Sequence, residues 1–98
     1  MMDNYLERLK KLSDLEPKTL EQMALKLSEE AGEVSQAVLS YSDASGSGYK
    51  QLDKEDIKEE CVDTVLVALS LFYKLSDREG ELQELLDKKM TKWESNIS

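Results

Sequence analysis

From Cys61 to Tyr73 the chain reads CVDTVLVALSLFY, a run whose only charge is Asp63. It is too short to span a bilayer, and no stretch of the chain alternates apolar and polar residues with period two. It reads as a helix that is apolar on nearly all sides. Such a helix has to be buried on nearly all sides. A chain of 98 residues is near the small end of what sustains a hydrophobic core unaided, and it can hardly surround this helix alone. A second copy of the chain is therefore expected to cover one face, giving a homo-oligomer, dimer or tetramer.

The rest of the sequence supplies the other walls of an all-α domain. Aromatic and β-branched residues are sparse, which argues against strands. Tyr5, Leu6, Leu9 and Leu12 repeat at helical spacing and predict a first helix that ends before Pro17. A second helix is expected to start near residues 17–19. Met23, Leu27, Val34, Ala37 and Tyr41 form its buried stripe, reinforced by Leu20, Ala24, Ala31 and Val38. Residues 42–48, SDASGSG, read as a loop between antiparallel helices. Asp53 is the expected N-cap of the third helix, with Glu55 and Asp56 in its first turn, and that helix runs to about Leu75. Ser76 or Asp77 is expected to open a fourth helix, carried by Leu82, Leu85, Leu86, Met90 and Trp93. Residues 1–98 thus form one domain, a four-helix bundle-like arrangement completed by self-association.

Charge and composition exclude several functions. A formal net charge of −8 argues against nucleic-acid wrapping and anionic membrane binding, but leaves room for a small polyanion held through metal ions. There is no histidine, so histidine general bases, Ser-His triads and histidine-ligated zinc are all removed. The single cysteine, Cys61, cannot build an internal disulfide framework and fits a reducing compartment. The opening MMDNYLERLKK lacks the apolar core of a signal peptide, so a cytoplasmic location is expected. No glycine-rich stretch ends in Gly-Lys-Ser or Gly-Lys-Thr, and the EF-hand loop pattern is missing.

The pattern breaks at carboxylates. Along the second helix the seam steps by threes and fours through Met23 and Leu27 to position 30, then on through Val34, Ala37 and Tyr41; position 30 is a glutamate. Glu33 lies one turn further on the same side, because residues three apart are neighbours on a helix. Glu60 and Asp63 repeat that spacing on the third helix. Burying even a neutral polar group without partners costs roughly 2–7 kcal/mol, and four carboxylates repel one another besides. Some must stay protonated, or cations must compensate them. No lysine or arginine lies between Ser28 and Ala44 or between Glu59 and Tyr73. A hard divalent cation fits these oxygen ligands, magnesium or manganese rather than zinc or iron. Gly32, between the two carboxylates of the second helix, costs about 1 kcal/mol relative to alanine and suggests a close approach by a ligand or helix. Two plainer readings stand beside this one. Acidic pairs three apart are common on solvated faces, and Asp63 can be a structural partner of lysines on the fourth helix.

Glu29-Glu30-Ala31-Gly32-Glu33 followed by Glu60-Cys61-Val62-Asp63 resembles the EExxE…ExxD signature of the MazG-like, all-α nucleoside triphosphate pyrophosphohydrolases. The preceding Lys26-Leu27-Ser28, the glycine before Glu33 and the length between the two segments are similar as well, and the likeness spans about residues 19–93. It implies that Glu30, Glu33, Glu60 and Asp63 hold magnesium. It implies an outer role for Glu29, orienting the attacking water, and a phosphate contact for a lysine of the last helix, best matched by Lys89. Lys92 and Trp93 would join the substrate contacts. Where some members carry asparagine four residues after that lysine, this chain has Trp93, which can stack on a base or serve as a core or interface residue. Lys88, Lys89 and Lys92 can equally be a favourable positive end for the fourth helix. The activity implied is hydrolysis of a (deoxy)nucleoside triphosphate to the monophosphate and pyrophosphate, in nucleotide-pool cleansing. The rival expectation is a non-enzymatic acidic helical adaptor, which needs no metal.

Overall fold

The computed structural model describes residues 2–42 and 53–97, and these contain four helices and no strand. They are α1 (Met2–Leu15), α2 (Leu20–Tyr41), α3 (Lys54–Leu75) and α4 (Glu81–Ile97). The loop expected at residues 42–48 lies, beyond Ser42, outside the described residues.

Local chemistry sets the helix ends. Pro17 lies two residues past the end of α1, and Thr19 caps α2: its hydroxyl accepts from the Gln22 amide (3.1 Å) while the Gln22 side chain accepts from the Thr19 amide (2.9 Å). That reciprocal pair satisfies two amides that the helix itself leaves free. Asp53 caps α3 as expected, with Asp56 returning the hydrogen bond. The fourth helix begins later than the sequence suggests. Ser76 instead ends α3, and the Glu81 carboxylate reaches back to accept from the Ser76 hydroxyl (2.8 Å) and the Asp77 amide (3.3 Å). Gly80 completes that turn at φ 79°, where a Cβ is strained, and α4 opens after it.

α3 is the centre of the packing. It lies against both α2 and α1, and α4 packs against none of the other three helices. Met23 and Lys26 share a groove with Leu66, Val67 and Ser70, while Glu33 meets Glu60 further along. Numbers rise on one helix as they fall on the other, so α2 and α3 run antiparallel. α1 packs on the second half of α3, where the Ser13 hydroxyl donates to the Ser70 carbonyl (2.7 Å) and the Lys10 ammonium sits over the Tyr73 ring (5.5 Å). The Lys74 ammonium adds a hydrogen bond to the Glu16 carbonyl (2.7 Å), just past the end of α1.

Few apolar side chains are fully buried: Leu9, Met23, Ala37 and Leu82 among the described residues. The expected α2 stripe is buried at Met23, Glu30 and Ala37 and partly covered at Leu27 and Val34. Leu20, Ala24, Ala31, Val38 and Tyr41 stay exposed. In α1, Tyr5 and Leu12 face solvent, and the inward line runs through Leu9 to Ser13, which is completely buried. The apolar α3 run is not enclosed by its own chain either, with Val62, Val65 and Leu66 about half exposed. The Cα radius of gyration is 16.2 Å, against about 13 Å for a compact domain of this length. No helix among the described residues is long and apolar enough to cross a membrane.

Ser13 gives a direct test of the α1–α3 packing. Ser13→Ala removes one buried hydrogen bond and should lower unfolding free energy by about 1 kcal/mol. Ser13→Leu forces a larger side chain into the same space and should cost about 1–3 kcal/mol. Urea titration at fixed protein concentration measures both. Equal stability of the leucine variant and the parent would show that α1 is not seated on α3 in this way.

Candidate metal centre

Antiparallel pairing of α2 and α3 carries two acidic pairs to one seam. Glu30 is buried, Glu33 and Glu60 are half-buried, and Asp63 is exposed. One carboxylate oxygen from each of Glu30, Glu60 and Asp63 lies within 4.8 Å of the others. Oxygens on opposite sides of a hard divalent cation stand about 4–5 Å apart, so the three suit a single ion between them. With every carboxylate ionised, Glu30 Oε2 and Glu60 Oε2 are both shut off from solvent and have no hydrogen-bond donor. Buried acceptors are normally satisfied, and two orphans on facing helices mark a place where a positive group belongs. The donors are oxygen only, with no histidine or cysteine in the group, and suit a hard cation.

Glu33 belongs to the same electrostatic cluster although it is outside that tightest trio. Its carboxyl is pushed up to about 7, first by a hydrogen bond with Glu60 and then by the negative charge of Glu30, with desolvation adding to both. In effect one proton does part of the work of a cation when none is bound.

Several expectations change once the helices are packed. Asp63 lies in the apolar run but is exposed, because the face of α3 it occupies is not covered within one chain. A depression of ≈ 340 Å³ lined by Lys58, Glu59, Val62 and Asp63 opens beside it. Asp63 makes no ion pair with any described lysine, and α4, which carries Lys88, Lys89 and Lys92, does not approach α3. Among the described residues of one chain, then, Asp63 has no structural lysine partner. Gly32 has open space where a side chain would stand, so no helix of the same chain approaches it. Lys89, Lys92 and Trp93 are all exposed, Trp93 by 67%, and the fold of one chain does not bring them to the carboxylates.

A residue outside the expected set does reach the cluster. The Lys26 ammonium lies 3.1 Å from Glu30 Oε1 and 3.4 Å from Glu29 Oε1. Lys26 is four residues before Glu30, so the helical i, i+4 spacing already carried the signal. Lys26 stands just before the stretch that carries no lysine or arginine. Glu29 itself is exposed at the edge of the seam.

The chain matches no protein-family model, no curated protein and no solved structure.

The raised Glu33 carboxyl makes stability depend on pH. Between the ordinary 4.5 and about 7 the folded chain holds a proton that the unfolded chain has released. The stabilisation is fully present below 4.5 and is lost as pH rises through about 7. In EDTA, the melting temperature of the parent protein should therefore fall from pH 5 to pH 8 relative to that of Glu33→Gln. Parallel melting profiles for the two proteins would show that Glu33 does not share a proton at the seam.

Proposed function

We propose that this protein is a magnesium-dependent nucleoside triphosphate pyrophosphohydrolase of the MazG-like kind, cleaving a (deoxy)nucleoside triphosphate to the monophosphate and pyrophosphate. The observation that carries this reading is the carboxylate trio of Glu30, Glu60 and Asp63, with two buried oxygens that have no donor when every carboxylate is ionised. The spacing of the acidic residues within EExxE…ExxD supports it independently.

In this reading Glu30, Glu33, Glu60 and Asp63 hold magnesium, which would neutralise the triphosphate and lower the pKa of a bound water. The protein's own part is to present oxygens from two helices whose spacing is set by packing. Glu29, exposed beside Glu30, would orient the attacking water. Lys89 and Lys92 would steady phosphate oxygens, and Trp93 would stack on a base or pack in an interface. Because α4 stands apart from its own α1–α3, these contacts require assembly, with α4 of one copy meeting the seam of another. The exposed apolar residues of α3 and α4 support such a homo-oligomer, and nucleotide-pool cleansing in the cytoplasm is the role that suits the activity. The same exposed apolar surface would also suit a non-enzymatic helical adaptor; the buried orphan oxygens favour the enzyme.

Two experiments test this. Purified protein should release pyrophosphate from at least one member of a dNTP panel when magnesium is present and not in EDTA. Glu30→Gln and Asp63→Asn should reduce that rate by at least about 100-fold, since the reaction centre depends on the metal. Asp63→Asn should melt in EDTA at or above the parent's temperature, because a like charge has been removed from the cluster. A panel without any turnover, together with a melting temperature indifferent to magnesium, would favour the adaptor. Light scattering at micromolar concentration should give a dimer mass or larger, and Trp93→Asp should weaken the assembly. A monomer mass for the parent protein would exclude the shared site.

A further inference from the structure

The four carboxylates at the α2–α3 seam have one basic partner among the described residues, Lys26. Its ammonium lies 3.1 Å from Glu30 Oε1 and 3.4 Å from Glu29 Oε1, and with every carboxylate ionised the buried Glu30 Oε2 is left without a donor. Lys58 borders the depression beside Asp63, but its ammonium is held by Glu55 at 2.8 Å. The Glu30 side chain is 9% exposed and that of Lys26 is 40% exposed. A buried carboxylate is thus matched to a cation on a long, solvent-reaching stem. Lys26 also borders the groove of ≈ 250 Å³ whose walls include Leu9, Met23, Leu66 and Val67. Its ammonium therefore has an alternative position along a surface that can cover its apolar stem.

We propose that Lys26 is the resident counter-ion of this centre, neutralising Glu30 while no metal is bound and competing with a divalent cation for the same carboxylate. The inference rests on the metal reading given above. A second cation close to Glu30 is repelled by the ammonium, so Lys26 lowers metal affinity while it stabilises the metal-free fold. It leaves one oxygen of Glu30 committed and the other free, so it is a positioning residue for the site. Without metal, the seam keeps enough positive charge to stay closed. With metal, the ammonium is displaced toward the groove mouth.

Lys26→Met keeps the stem and removes the charge, and Lys26→Arg keeps the charge. Manganese titrations followed by calorimetry should give a dissociation constant roughly three- to tenfold tighter for Lys26→Met than for the parent. Lys26→Arg should stay near the parent value. In EDTA, Lys26→Met should melt below the parent and Lys26→Arg should recover most of the difference; saturating manganese should shrink it. Unchanged or weaker manganese binding by Lys26→Met, with the parent binding normally, overturns the role of Lys26 and leaves the metal reading intact. Failure of the parent itself to bind manganese overturns both.

Discussion

Like charge is concentrated at the packed seam between α2 and α3, and the rest of the molecule is arranged around that conflict. The two longest helices meet there, so it is where the chain obtains much of its cohesion. The same surface carries Glu30, Glu33, Glu60 and Asp63. An arrangement selected only for stability would place leucine or alanine at position 30, in step with Met23 and Ala37. Instead a glutamate is buried there, tied to Lys26 by one oxygen and left unsatisfied at the other. Breaks in an otherwise consistent apolar pattern are where function is expected to override folding.

Three devices soften the repulsion in a single chain. Lys26 supplies a positive charge from the adjacent turn, Glu33 retains a proton up to about pH 7, and Asp63 stays in contact with solvent. Each is partial. The ammonium meets one of four carboxylates, the proton is shared with Glu60, and the exposure of Asp63 depends on α3 being uncovered. A divalent cation would do all three tasks at one point, which is why the proposed metal centre and the electrostatics of the fold are the same problem.

Size is the second constraint. A chain this short buries few large side chains, and α3 and α4 keep apolar surface in water: Val65 and Leu66 on one, Leu86, Met90 and Trp93 on the other. Among the described residues α4 packs against no other helix, and beyond the buried Leu82 its hydrophobic residues are left exposed. Self-association would give both surfaces a partner and would bring the lysines of α4 to a seam they do not reach alone. The proposed catalytic assembly and the burial of α3 would then be one event.

What the sequence by itself determined is what local chemistry governs. Helix formation follows from periodicity and capping, so the four helices, the cap at Asp53 and the end of α3 near Leu75 were all legible. The two acidic pairs were legible too, since i, i+3 spacing puts each on one helix face whatever surrounds it. Tertiary structure decided everything that depends on which faces meet. It turned α1 so that the small hydroxyl of Ser13, rather than Leu12, occupies the contact with Ser70. It delayed α4 to Glu81 because that carboxylate can reach back across the turn to Ser76 and Asp77. It left Asp63 exposed inside an apolar run, and Gly32 facing open space, because α3 is covered on one side and α2 on one edge. Most of all, it set the depth of the seam. A carboxylate's partners, proton and available oxygens depend on how completely neighbouring helices exclude water, and that exclusion exists only once the chain has packed.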